Sequence, residues 1–542
     1  MKKAKKGIAM LLALTSIGAM VGCNQTTNSD TKETLEIYLL EAGYGTKWLD
    51  DMVALFKTQQ WVKDKYPSLE VIVNTNDVKN YAQTRMDAGA SSNTLDLLMG
   101  TFEGAYCGVD KTGKEQLLDL TEVLYNSTVP GENVTVKQKM NESVVNSFAY
   151  YEQNNVNGEP KYYYAPWAGG MMSFVYNADI LESLNIAVPN TTDEFIVACE
   201  TIKNLKDNTE GKYSRGYSIL QSKDADYWVF TQNGWWAQYE GVENFYNFWN
   251  GIDDNKISKD IFKQQGRLKN AELYETLLKY DTYLDPSSMT YEFMPAQTMM
   301  LQGKAVFHMN GDWFDNEMAE MKADYLAAGG TDYELKLMRY PVVSAIIEKC
   351  PTIENDQELS ALITAIDANS LSLTGEGYDV SQADFNRVKE ARYVVNSIGP
   401  RHTAGIPSYA NGKEVAIDFL RFMATDIANH SYSVSTNGAS LPYNYNIKEV
   451  DPVAYEKFSP MQKDRLAYFG NSNYQEVVLL PTTSFFPLAK YGGVSMFSKG
   501  SITETFRAAG NTKTALDFYN ETLEYWTDAR WSTAVSNAGI MG

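Results

Sequence analysis

Residues 162–177 read YYYAPWAGGMMSFVYN, and their order predicts two strands separated by a bend. Three tyrosines lead into Pro166, whose ring fixes its own φ and biases Ala165 toward extended backbone. Trp167 then precedes Gly169 and Gly170 before an apolar run resumes at Met171. Glycine lets a ligand or a facing segment approach bare backbone, so an aromatic ring beside a glycine pair suits a cleft between two bodies. An ordinary core turn around a packed tryptophan would carry the same pattern.

The chain before this stretch alternates strand and helix signals. LEIYLL, residues 35–40, reads as a buried strand, and Glu41, Ala42, Gly43, Tyr44 and Gly45 form a turn. Trp48, Leu49, Met52, Val53 and Phe56 then recur at helical spacing. A second strand is expected over residues 69–73 and a third over 95–100. Strands alternating with helices indicate a parallel α/β sheet. Ligands of such sheets sit beyond the carboxyl ends of the strands, which here are residues 41–45, 74–77 and 100–103. Gly43 and Gly45 do not make a dinucleotide fingerprint, because no third glycine and no suitably placed acid complete it.

The first residues concern the compartment. Lys2, Lys3, Lys5 and Lys6 precede a short apolar run over residues 7–20, too short to span a bilayer comfortably. The run ends in Met20, Val21, Gly22 and Cys23, which resembles the lipobox of bacterial lipoproteins, whose cysteine is acylated and becomes the mature N-terminus. Residues 1–22 therefore read as a signal peptide, with lipidation at Cys23 and a polar tether over residues 23–33. Loss of residues 1–22 removes four lysines and no acid, so the formal charge moves from −21 to −25. So acidic a surface repels nucleic acid and anionic headgroups. Cys107, Cys199 and Cys350 remain, at spacings that match no CxxC motif. Stability must come from a core, which 542 residues at 44% hydrophobic composition readily build.

After residue 177, Thr191 or Thr192 followed by Asp193 and Glu194 reads as a capped helix start. Tyr227, Trp228, Phe230, Trp235 and Trp236 form a dense aromatic cluster. Packing alone accounts for any one of them, but sugar faces also stack on such rings.

Two further stretches, QGKAVFHMNGDW at residues 302–313 and the run from Gly405, Ile406 and Pro407 to Ser440, Leu441 and Pro442, join PWAGGMMSFVYN and VPNTTDEF in order. Together they resemble the family 1 extracellular solute-binding proteins, the sugar-binding lipoproteins of bacterial ABC importers to which maltose-binding protein belongs. The resemblance covers nearly all of the mature chain. It implies an α/β, two-lobed periplasmic-binding-protein-like fold of type II, with a ligand cleft between lobes joined by hinge crossovers. Mapped by motif, the crossovers would fall near residues 164–169, 306–309 and 401–408, so that residues 34–165 and 308–402 would form the N-terminal lobe and residues 166–307 and 403–542 the C-terminal lobe. Residues 352–400 would be an expansion, with helices over 355–366 and 383–395. The resemblance further implies ligand contacts from Glu41, Tyr44, Thr101 and Glu103 in the first lobe. Trp167, Gly170, Tyr227, Trp228, Trp235 and Trp236 would serve the second lobe or hinge, with Asp312 and Trp313 beside a crossover. Gly170 stands where the maltose binder has a carboxylate, so the sugar bound should differ.

The implied function is capture of a carbohydrate, an oligosaccharide by preference, and its delivery to the permease subunits of an ABC importer. A monomer, lipid-anchored on the extracytoplasmic face of the cell membrane, would do this without a cofactor, a metal or a nucleic-acid partner. A polyamine or a peptide could occupy the same fold. A secreted glycoside hydrolase would also carry a signal and many aromatic residues, and would need two carboxylates about 5 to 9.5 Å apart; no hydrolase motif is present, and His308, His402 and His430 are spaced unlike a metal site.

Overall fold

The computed structural model describes residues 33–75, 95–100, 115–150, 159–205, 218–223, 226–375, 378–397, 402–469, 475–478 and 486–540. The described residues form fourteen strands, numbered in chain order. In the first lobe lie β1 (Thr34–Leu39), β2 (Glu70–Asn74), β3 (Leu97–Gly100), β4 (Ala165–Pro166) and β13 (Thr403–Gly405), in the order β2-β1-β3-β13-β4. The second lobe holds β5 (Met171–Asn177), β8 (Phe307–Gly311), β9 (Leu335–Met338), β12 (Val394–Ser397) and β14 (Gln475–Val478), in the order β14-β12-β5-β8 with β9 also on β5. Two short hairpins, β6 (Ile252–Asp253) with β7 (Lys256–Ile257) and β10 (Thr374–Gly375) with β11 (Tyr378–Asp379), complete the set.

The first three strands run parallel, as the strand and helix alternation requires. Helix Lys47–Thr58 buries Trp48, Leu49, Met52 and Phe56. The stretch at 162–177 divides between the sheets: β4 pairs with β13 in the first, and β5, buried along its whole length, is the central strand of the second. Residues 167–170 are therefore a crossover. The Thr191 hydroxyl accepts a hydrogen bond from Glu194 N at 3.1 Å and caps helix Thr192–Asn204. Helices are present at Asp356–Asp367 and Gln382–Arg392, the second ending short of the expected 395 because Val394 and Val395 belong to β12.

The expected division of residues 308–402 and 403–542 differs from the strand pairing. β8 pairs with β5 through five residue pairs, from Met172↔Gly311 to Tyr176↔Phe307, so residues 307–311 are built into the second sheet and do not cross. β9 and β12 pair with β5 as well. The chain leaves the second lobe after Ser397, which pairs with Met171, and enters the first at Thr403, which pairs with Gly100 and Pro166. Helices Lys413–Met423 and Asp426–Ser435 then pack on β1 and on helix Lys47–Thr58. The buried Asp96 carboxylate fastens this return, accepting from Gly412 N at 2.7 Å and from Glu36 N at 3.0 Å. Helix Pro460–Phe469 packs on β9, back in the second lobe.

His308 on β8 is buried; its Nδ1 donates to the Leu220 carbonyl at 2.8 Å, and its Nε2 accepts from Asn310 Nδ2 at 3.2 Å. Burial pushes its pKa down to about 4, against the partial opposition of the Leu220 carbonyl. The folded state therefore refuses a proton that the unfolded chain accepts near pH 6.5. Stability attributable to this site is complete above pH 6.5 and falls as pH drops toward 4, by about 3 kcal/mol in total. Asp464, raised by burial to about 6, works in the opposite sense over part of the same range. The test is thus a difference: urea midpoints of the protein and of His308→Gln should converge between pH 7 and pH 4, and parallel curves would contradict this account.

Candidate functional site

The carboxyl ends of the first-lobe strands and the crossovers meet in one buried aromatic cluster. After β1 the chain turns through residues 41–46, where Gly45 takes φ 67° and donates its N–H to the Ala42 carbonyl at 2.9 Å. This turn delivers Tyr44 and, in the first turn of the following helix, Trp48. Trp48 stacks on Trp167 of the crossover, with centroids 5.4 Å apart and planes 13° apart. Tyr432 meets Trp48 edge-on at 5.0 Å, and His402 lies 4.6 Å from Trp167 and 6.0 Å from Tyr44. Among the described residues, the indole N–H groups of Trp48 and Trp167 and the Tyr432 hydroxyl are buried without a hydrogen-bond partner. Each such group left unpaired costs about 1–3 kcal/mol.

The second lobe presents Asp312 to this cluster. Tyr44 OH donates to Asp312 Oδ1 at 2.9 Å, and Arg465 Nε pairs with Asp312 Oδ2; Asp312 and Arg465 are both fully buried. The Arg465 guanidinium also donates to the carbonyls of Gly169 and Gly438, and Gln462 Nε2 donates to the Asp312 carbonyl at 2.5 Å. Burial raises the Asp312 carboxyl above its ordinary value, with Arg465 and Tyr44 opposing. Burial raises the Tyr44 phenol as well, and Asp312 adds to that shift. Glu317, raised by burial against its bond from Gln297 Nε2 at 2.8 Å, stands beside Trp313 and faces Gly43.

The residues singled out in the sequence separate into four groups. Tyr44, Trp167, Asp312 and Trp313 come together between the lobes, and Gly170 is buried in the crossover beside them. Glu41 is exposed in the turn after β1. Thr101 and Glu103 lie outside the described residues, as do the side chains of Tyr227 and Trp228 on helix Asp226–Glu240. Trp235 and Trp236, expected at the ligand, are second-lobe core. Trp235 packs on Phe174 and Tyr274 and donates to the Pro341 carbonyl at 3.2 Å. Trp236 packs on Phe245, Phe248 and Trp249 and donates to Gln264 Oε1 at 2.9 Å. Trp48 and Trp167 are as fully buried as these two indoles, but the N–H groups of Trp235 and Trp236 are satisfied, which leaves no donor for a ligand. Asp312, expected as a ligand contact, has its oxygens engaged by Tyr44 and Arg465.

Sequence reasoning did not single out Trp48, His402, Tyr432 and Arg465 as site residues. Trp48 carries a signal, helical spacing directly after a strand-end turn, which equally marks a core position. Arg465 carries none, since its partner is 153 residues away. Among the described residues, no group of three His, Cys, Asp or Glu side chains is placed to hold a metal ion.

The family model for bacterial extracellular solute-binding proteins matches residues 44–342, more than half of the chain. A comparison with curated protein sequences gives no match. Solved structures similar to this chain include the GacH receptor of Streptomyces glaucescens, studied unliganded and with acarbose, at 12% identity and TM-score 0.54, covering 94% of this chain and 99% of that one. The apo form of RafE from Streptococcus pneumoniae is similar at 14% identity and TM-score 0.53, covering 95% and 100%. The bacterial solute receptor AcbH, described with a preference for β-D-galactopyranose, is similar at 12% identity and TM-score 0.52, covering 93% and 97%. At these identities the likeness shows the fold, two α/β lobes joined by crossovers.

Proposed function

Because the chain belongs to the bacterial extracellular solute-binding protein family, whose similar structures are binding proteins, we propose that it captures a carbohydrate between its lobes and delivers it to the permease of an ABC importer. The observation that carries this reading is the interlobe cluster itself: three buried, unpaired donors on Trp48, Trp167 and Tyr432, set among stacked rings. A ligand rich in oxygen acceptors, with apolar faces between them, would pair these donors in an arrangement of the lobes that uncovers them. Closure on the ligand then marks the loaded state for the permease, to the extent that the ligand prefers the closed arrangement. GacH and AcbH, described with acarbose and with β-D-galactopyranose, support the substrate class, and oligosaccharide over monosaccharide is our preference.

A polyamine fits this cluster less well. Cation capture draws on carboxylates free of a counter-charge, and Asp312, the one bonded to Tyr44 at the centre of the cluster, is paired with Arg465. The lipobox-like run ending at Cys23 supports a lipid anchor, which would hold the receptor near its permease on the extracytoplasmic face and raise its effective concentration there. No helix among the described residues is long and apolar enough to cross a membrane. The protein then acts by binding, as a monomer, with no bond made or broken.

A thermal-shift screen against mono- and oligosaccharides, polyamines and short peptides tests the substrate class. A ligand at 100 times its Kd stabilises by about 2.7 kcal/mol, so an oligosaccharide should raise the melting temperature measurably while spermidine and peptides should not. A response confined to polyamines or peptides would overturn the carbohydrate reading while leaving the fold intact.

A further inference from the structure

Asp312 is held from three sides, by Arg465 and Gln462 of the second lobe and by Tyr44 of the first. Arg465 also donates to Gly169 in the 167–170 crossover and to Gly438 in the chain leading back from the first lobe. The carboxylate is thus fixed relative to the hinge, and Tyr44 reaches it from the body that must move. Other cross-lobe contacts lie alongside. An ideal Cβ on Gly43 would stand 2.6 Å from Trp313 Cβ and 2.9 Å from Glu317 Oε1, so glycine permits this approach. Asn316 Nδ2 donates to the Thr436 carbonyl at 2.9 Å.

We infer that Tyr44, Asp312 and Arg465 form a latch that sets the balance between open and closed lobes, with Asp312 and Arg465 as positioning residues and not ligand contacts. This rests on the reading that ligand is taken up by lobe closure. Rotation about the crossovers leaves Asp312 with Arg465, because both belong to the second lobe, and of the bonds to the Asp312 carboxylate it breaks that of Tyr44, together with the Asn316 to Thr436 bond alongside. A hydrogen bond to a carboxylate is about twice as strong as a neutral one, and its loss corresponds to about a tenfold change in the open-to-closed ratio.

Tyr44→Phe removes the hydroxyl and keeps the ring. Small-angle X-ray scattering of the ligand-free protein should show a larger radius of gyration for this variant, consistent with a roughly tenfold higher open-to-closed ratio, and stopped-flow association of an oligosaccharide should be faster. Gly43→Ala should open the lobes in the same direction by steric contact with Trp313, and Gly43 is not among the positive-φ glycines, so alanine fits its backbone. Melting temperatures close to that of the parent establish that both variants are folded. Scattering from Tyr44→Phe that superimposes on the parent would overturn the latch, and more firmly if Gly43→Ala alone opened. The scattering arm needs no ligand, so a protein that binds no sugar defeats the functional reading without touching this one.

Discussion

Arg465→Leu should lower the unfolding free energy by about 3–5 kcal/mol, the cost of leaving a buried carboxylate without its counter-charge. The substitution strips Asp312 of its ion pair and leaves the Gly169 and Gly438 carbonyls without the guanidinium donor. Because the partner charge causes most of the loss, Arg465→Leu combined with Asp312→Leu should recover a substantial part of it. Urea unfolding followed by circular dichroism measures both. A single-variant midpoint equal to the parent would show that Asp312 finds another partner or takes up a proton.

Trp236→Ala should cost about 3–5 kcal/mol as well, by a different route. The indole packs against Phe245, Phe248 and Trp249, and its removal leaves a cavity among those rings. The same core holds Arg267, whose guanidinium lies 5.2 to 5.8 Å from the rings of Phe248, Phe262, Phe497 and Tyr519 and whose Nε donates to the Met496 carbonyl at 2.8 Å. Trp236→Phe keeps most of the volume and should retain the parent's sugar affinity within about twofold. A large loss of affinity in a folded Trp236→Phe protein would return this residue to the ligand.

The fate of Trp235 and Trp236 shows where sequence reading stops. Aromatic and apolar residues run around helix Asp226–Glu240 without a clear stripe, so the pattern marks density without indicating which side faces a neighbour. The β1, β2 and β3 strands are legible because each is a short apolar run bounded by turn residues, and the 167–170 crossover because proline and two glycines interrupt such a run. The crossover expected near residues 401–408 lies where the chain does pass between the sheets, before Thr403, whereas the one expected near 306–309 is overturned. Residues 306–309 have the same apolar signature whether they join one sheet or pass between two, and only the antiparallel pairing of β5 with β8 decides. The site was half legible. Tyr44, Trp167, Asp312 and Trp313 follow strand-end or crossover motifs, and the structure brings them together. Arg465 changes the meaning of Asp312 from ligand contact to structural anchor, and no local pattern ties residues so distant in sequence. Charge alone is a poor guide in a chain with 68 acidic residues.

Calorimetric titration of the protein with the oligosaccharide selected by the thermal screen, followed by chromatography of the recovered sugar, tests the central claim most directly. Saturable one-to-one binding, weakened at least tenfold in Trp167→Phe and with the sugar recovered unchanged, is the predicted result. Shortened sugar in the recovered fraction, or no heat with any carbohydrate, would contradict it.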